Sequence, residues 1–177
     1  MSTEEWIIVA VRVAGSLPVL RWPFAGGCIA VATDLSDLFL RSYLQLGGVS
    51  NYQSFDKWLD QIYLGLFLVV ALRWRGPARA VAIGLFAFRL AGFAVFEASG
   101  ERWTLLLFPN VFEFWFLFVA GAQRWWPEFR YRAGPIAAVL GPLAVLKLFQ
   151  EYALHVGRWL DDFTAREAVE AVTSFFT

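Results

Sequence analysis

Six apolar segments, separated by short connections, follow one another along this chain and limit what it can fold into. Of its 177 residues, 59% are hydrophobic and only 17% are charged, which is more apolar surface than a soluble domain of this size can bury. Inside a bilayer the backbone must satisfy its own hydrogen bonds, so segments of this kind are expected to be helical. The sequence therefore predicts an all-α fold, a polytopic transmembrane helix bundle.

We predict about six spans, or five if the first segment lies in the membrane interface instead. The expected spans are residues 4–20, 24–44, 56–72, 77–98, 103–122 and 134–156. The first is short, carries Arg12, and meets Gly15 and Pro18. The bundle would occupy residues 1–156, and an amphipathic tail helix at residues 157–177 would lie on the membrane surface.

Tryptophan is concentrated at the ends of these segments, where an amphipathic ring favours the headgroup layer. The residues with this placement are Trp6, Trp22, Trp58, Trp74, Trp103, Trp125, Trp126 and Trp159. Only Trp115 lies in the middle of a span. This distribution favours membrane spans over a large buried core.

The loop charges predict an orientation. With six spans, one side of the bundle carries most of the loop arginines: Arg21, Arg73, Arg75, Arg79, Arg124, Arg130 and Arg132. The positive-inside rule places these arginine-rich loops in the cytoplasm and both termini outside. We expect an integral protein of a bacterial or organellar inner membrane. The formal net charge of zero gives no indication of nucleic-acid binding.

A second set of charges lies within the spans, where each costs roughly 2.5–3.5 kcal/mol on insertion scales and needs a reason. We predict a polar intramembrane network made of Arg89, Asn110, Glu113, Lys147, Glu151 and His155. Three of these residues, Lys147, Glu151 and His155, follow an i, i+4, i+8 spacing and therefore share one helix face. Two deep cations would face at least four deep acids, and this unequal pairing favours a functional role over simple helix packing.

Carboxylates recur in the pair of segments between residues 32 and 60. Ala32-Thr33-Asp34-Leu35-Ser36-Asp37 is followed by Arg41 and then by Asp56-Lys57-Trp58-Leu59-Asp60. This pattern resembles the signature of the CDP-alcohol phosphotransferases, six-helix membrane enzymes that join a CDP-activated lipid to an alcohol. Leu38 stands where that family has a glycine.

The resemblance implies a metal-dependent site for a lipid headgroup. Asp34, Asp37 and Asp56 would be metal ligands, and Asp60 would be a ligand or the catalytic base that takes the proton of the attacking hydroxyl. Mg²⁺ or Mn²⁺ would be the cofactor and membrane lipids the partners. The activity would be that of a Mg-dependent transferase acting on phospholipid precursors.

Two other function classes stay open. In one, the chain is a small proton- or ion-coupled transporter, and Arg89, Glu113, Lys147 and Glu151 form a relay. In the other, it is a non-catalytic membrane subunit or scaffold whose charges serve assembly. Glycines such as Gly84 and Gly92 would allow close helix packing or a homo-oligomer in each of the three classes.

Overall fold

The computed structural model describes residues 2–44, 52–101 and 103–152, and these residues form helices and short connections with no strand. The elements are α1 (Thr3–Ser16), a 3-10 turn (Leu17–Leu20), α2 (Pro23–Leu44), α3 (Tyr52–Ala71), α4 (Pro77–Ser99), α5 (Thr104–Leu107), α6 (Val111–Trp125) and α7 (Ala133–Glu151). The all-α prediction is confirmed over these ranges. The predicted tail helix at residues 157–177 lies outside the described residues.

The helix ends follow local sequence signals. Ser2 caps α1: its hydroxyl accepts from the Glu5 backbone N–H at 3.1 Å, and the Glu5 carboxylate accepts from the Ser2 backbone at 2.8 Å. Pro77 opens α4, where its missing N–H costs nothing. Gly100 ends that helix in a left-handed conformation, with φ 70°, that favours glycine.

The predicted continuous span over residues 103–122 is wrong. The chain forms the short α5, breaks at residues 108–110, and continues as α6, because Pro109 has no N–H to extend the helix. Arg89 of α4 donates from Nη1 to the freed carbonyl of Phe108 at 3.0 Å. The Phe108 side chain packs directly against Gly92, where a β-carbon would collide with it. The break is therefore held in place by α4.

Contacts among α3, α4 and α6 show that the directions of these helices alternate. Along α4 and α6 the residue numbers rise on one helix as they fall on the other: Ala78 with Trp115, Phe86 with Phe112. Between α3 and α6 they rise together: Tyr63 with Glu113, Phe67 with Phe116. Short connections thus join helices that run up and down, as a bundle requires.

The buried face of α3 changes character along its length. Its first part buries Asp60 and Tyr63, and its second part buries Phe67 and Trp74. Helix α6 changes in the same direction, from Glu113 in its first turn to buried aromatic and aliphatic residues beyond it. We call these two regions the polar half and the aromatic half. The aromatic half comprises Phe67, Val70, Ala71, Trp74, Trp115, Phe116 and Val119.

Two of the described helices, α4 and α7, are long and apolar enough to cross a membrane. Only 28% of the most apolar stretch of α4 and 6% of that of α7 is buried within the protein. On α7 the exposed side chains include Val145, Leu146 and Phe149, each more than half exposed. These helices therefore present apolar surface to whatever surrounds the molecule.

Candidate ionic site

Arg12 is the centre of the polar half. Its side chain is 2% exposed and forms ion pairs with three carboxylates on two other helices. Nη1 contacts Asp34 of α2 and lies 3.0 Å from Oδ1 of Asp60 on α3, while Nη2 contacts Oδ1 of Asp56. A planar guanidinium presents five N–H donors, so one side chain can bind three carboxylates at once. Arg12 thus joins α1, α2 and α3.

Lys57 is the second cation in contact with these carboxylates. Its Nζ lies 2.7 Å from Oδ2 of Asp56 and 3.0 Å from Oδ2 of Asp60. Each of these two aspartates therefore contacts Arg12 through Oδ1 and Lys57 through Oδ2. Two cations and three carboxylates are thereby held within one group, which we call the Arg12 cluster: Arg12, Asp34, Asp56, Lys57 and Asp60.

The sequence predicted more deep acids than deep cations, and the structure largely removes this excess of acids. The prediction counted two cations, Arg89 and Lys147. The structure adds two more that are buried or half-buried, Arg12 and Lys57. In the sequence, Arg12 counted only as a weakness of the first predicted span. The signal that could have identified it was the charge itself, because a cation inside a span needs a carboxylate partner nearby.

Three of the four predicted metal ligands converge. Asp34, Asp56 and Asp60 each offer a carboxylate oxygen within 4.8 Å of the others. The side chain of Asp37, the fourth, lies outside the described residues. Oxygen donors at this spacing suit Mg²⁺ or Mn²⁺. The same carboxylates also contact Arg12 and Lys57, so a metal ion would fit only if it replaced at least one of these side-chain cations.

The predicted intramembrane network forms a second group that begins one turn further along α3. The Tyr63 hydroxyl donates to Oε2 of Glu113 at 2.9 Å, and Nδ2 of Asn110 donates to the same oxygen at 3.0 Å. All three side chains are buried. Tyr63, which sequence analysis did not select, is the residue that links α3 to this network.

Helix α7 contributes its cation to the same carboxylate. Nζ of Lys147 lies 3.5 Å from Oε2 of Glu113 and 4.0 Å from Oε1 of Glu151, and it donates to Gln150 at 3.0 Å. We call Tyr63, Asn110, Glu113, Lys147 and Glu151 the Glu113 network. His155, predicted as a further member, lies outside the described residues.

Arg89 was also predicted in this network, but it contacts the helix break instead. It is 3% exposed, its Nη1 bonds the Phe108 carbonyl, and its charge acts on Lys57 and Asp60. Arg89 therefore supports the helix break and adds positive potential to the Arg12 cluster.

No protein-family model, curated protein or solved structure matches this chain. The resemblance to the CDP-alcohol phosphotransferases therefore rests on the sequence pattern of residues 32–60 alone.

Proposed function

We propose that this chain is a multi-pass membrane protein with a charged lipid-headgroup site in its polar half. The membrane location is supported by the distribution of side chains, which is the reverse of that in a soluble protein: charged side chains are buried and large apolar ones are exposed. Arg12, Asp60, Arg89 and Glu113 are each less than 5% exposed. Large apolar side chains cover the surface, and α7 is almost wholly unburied. A core helix of a soluble protein would be mostly buried, whereas a lipid-facing helix has no need to be.

The alternating helix directions support the six-span arrangement, with α1 and its 3-10 turn forming the short first segment and α5 and α6 together forming one broken span. Exposed tryptophans then fall at the two ends of the bundle, as expected for headgroup layers. One end carries Trp6, Trp58 and Trp103, and the other carries Trp22, Trp125 and Trp126, all more than half exposed.

The membrane proposal is tested by fractionation and by labelling of loop cysteines. The protein should stay in the membrane after alkaline carbonate extraction. In the Cys28→Ser background, a cysteine at Arg75 should be inaccessible to an impermeant maleimide added outside intact cells, and a cysteine at Glu101 should be accessible. Release by carbonate would contradict the membrane location. Reversed labelling would contradict only the orientation.

The polar half has access to one side of the bundle only. Phe67 and Phe116 stack with ring centroids 4.0 Å apart, and Trp74 stacks on Phe116 at 5.3 Å. Within the described residues, the buried charged side chains belong to the polar half and none lies among these rings. A relay for ions or protons across the bilayer needs polar groups throughout its length. A site that ends against packed rings favours binding from one face over transport.

The observation that carries the ligand proposal is the presence of both signs of charge in the Arg12 cluster. A phosphate-bearing headgroup would compete for Arg12 and Lys57, because guanidinium and ammonium groups bind phosphate oxygens. Asp34, Asp56 and Asp60, released from those cations, would hold Mg²⁺ or Mn²⁺ beside the phosphate. The exchange would leave each charge with a partner of the opposite sign.

The most concrete form of this proposal is the transferase that the resemblance implies, with Asp60 as the base that takes a proton from an attacking hydroxyl. The loop arginines, however, put the polar half at the non-cytoplasmic face. We therefore propose a phosphate-bearing lipid headgroup as the ligand class, and a CDP-activated lipid as its special case.

Thermal unfolding in phosphatidylcholine nanodiscs tests the site. Mn²⁺ or Mg²⁺ should raise the Tm of the wild type when the discs also contain phosphatidic acid or CDP-diacylglycerol. Asp60→Asn and Asp37→Asn should each abolish the increase, while Glu128→Gln, in an exposed loop, should retain it. An increase with CDP-diacylglycerol alone would favour the transferase, and one with both lipids a general phosphate site.

The second candidate is a non-catalytic subunit or scaffold, and one observation favours it. Each of the three carboxylates in the Arg12 cluster already contacts a side-chain cation, as in a network that only sets helix packing. In that case no metal and lipid combination would change the Tm of the wild type. That result would remove the headgroup site and leave the membrane location untouched.

A further inference from the structure

We propose that residues 143–151, the second half of α7, form a lateral gate that opens the Glu113 network to the lipid. This inference rests on the membrane location proposed above. It goes beyond the headgroup site because it concerns a different helix and a route of entry from the side.

The gate is attached to the bundle by charge. Among the residues of α7, the two that are buried are Lys147 and Glu151, although the helix is otherwise largely apolar. Its neighbours Val145, Leu146, Leu148 and Phe149 are all exposed. In lipid, apolar side chains gain little by leaving the hydrocarbon for a neighbouring helix, so polar contacts hold helices together. Lys147 is therefore the latch of this helix half.

The latch is a long ion pair from Lys147 to Glu113 of α6, and Nζ of Lys147 also lies 5.1 Å from the centroid of the Phe114 ring on that helix. Nζ of Lys147 lies 3.5 Å from the Glu113 carboxylate, beyond the 2.7–3.2 Å typical of a strong hydrogen bond. Glu113 keeps two further donors, Tyr63 and Asn110, when Lys147 departs. Lys147 keeps Gln150 and Glu151 on its own helix, so both sides retain partners in the open state.

The hinge is supplied by Gly141 and Pro142. Pro142 lies inside α7 and has no N–H for the carbonyl of Ala138, which removes one bond from the helix ladder. A β-carbon at Gly141 would meet nothing within 4 Å, so no neighbouring side chain restrains this point. A weak point in the helix therefore precedes the latch by about one turn and a half.

Behind the gate lies a buried acceptor that needs a donor. Oδ1 of Asn110 is buried and has no hydrogen-bond partner among the described residues, and Asn110 is 2% exposed. Opening at Lys147 would expose this oxygen and the Glu113 carboxylate together. A headgroup with hydroxyl or ammonium donors is the class of ligand that would satisfy both.

Distance measurements between spin labels in nanodiscs test the gate. In the Cys28→Ser background, one label pair joins Ile29→Cys with Val145→Cys beyond the hinge, and a control pair joins Ile29→Cys with Ala137→Cys before it. All three sites are on exposed faces. Lys147→Gln should add a longer-distance population to the first pair only. Lys147→Arg should restore the single distribution, and Pro142→Ala should reduce the longer population in the Lys147→Gln protein.

Two outcomes would overturn the gate. One is an unchanged Val145 distribution in Lys147→Gln, which would mean that the ion pair does not hold the helix. The other is an equal shift of both label pairs, which would mean that the whole of α7 moves without a hinge. In either case carbonate extraction still reports the membrane location separately, and circular dichroism shows whether the variant is folded.

Discussion

The polar half and the aromatic half are built on the same two helices, α3 and α6, but different forces hold them. In the aromatic half, Phe67, Trp74 and Phe116 stack as rings with no charged neighbour within the buried part of the described structure. In the polar half, ion pairs hold the structure together: Lys57 contacts Asp60 one helix turn away, and Arg12 contacts the same residue from 48 positions away in the sequence. Packing of aromatic rings stabilises one end of the bundle, and ion pairs stabilise the other.

The two halves should respond differently when a side chain is shortened or removed. Ring packing loses contact area when a side chain is shortened, and neighbours or lipid can partly fill the space. A buried ion cluster loses its charge balance when one member is removed, and the ions that remain stay out of water. The polar half should therefore be the less tolerant of single substitutions.

The largest effect is expected for Arg12→Gln. The substitution removes the ion pair of Asp34 with Arg12 and leaves Lys57 in contact with Asp56 and Asp60. Removing one partner from a buried ion pair costs about 3–5 kcal/mol. Denaturant unfolding in detergent micelles measures the loss. Arg21→Gln, at an exposed loop position, should be close to neutral. Equal stability of the two variants would mean that the Arg12 cluster contributes nothing to the fold.

Phe116→Ala should cost about 3 kcal/mol, at the lower end of values for buried phenylalanine, because lipid replaces water as the surrounding medium. Phe116 is fully buried between Phe67 and Trp74. Phe88→Ala, at a position 42% exposed, serves as the control and should cost less than a third as much. A larger loss from Phe116→Ala than from Arg12→Gln would reverse the ranking of the two halves.

The smallest effect is expected for Tyr63→Phe, which removes the donor to Glu113 and should cost about 1–2 kcal/mol. Tyr131→Phe is a matched control. The Tyr131 hydroxyl is buried without a hydrogen-bond partner in the described part of the chain, and burial raises the pKa of Tyr131. Its loss should be neutral or slightly stabilising in the same unfolding assay. Destabilisation of both variants to the same degree would show that Glu113 does not depend on Tyr63.

Local signals predicted several features of the fold. The predicted span over residues 77–98 nearly coincides with α4, and the apolar segments indicated helices that the structure contains. Pro109 lies within the predicted span 103–122, and Arg89 binds the carbonyl of the preceding Phe108. The consequence of that proline was missed: the span is divided into α5 and α6. A proline shows where a helix can break, but neighbouring helices decide whether it does.

The candidate site was predictable in its carboxylates but not in its cations. Asp34, Asp56 and Asp60 were selected on the family resemblance of residues 32–60, and they do converge. Arg12 was noted only as a charge in a marginal segment, and Lys57 was not selected as a site residue. Their pairing depends on how closely α1 and α3 approach, and residue spacing within one helix contains no information about that distance.

Hydropathy and backbone hydrogen bonding are local properties, so the amino-acid sequence alone is enough to predict apolar helices joined by short turns, with charged residues within them. Which of these charges meet depends on how the helices pack. That packing places Arg12 among three aspartates, joins Tyr63 to Glu113, and buries Lys147 and Glu151 on an otherwise apolar helix. Ion pairs act over a few ångströms, so only the packing of helices distant in sequence could assign their partners.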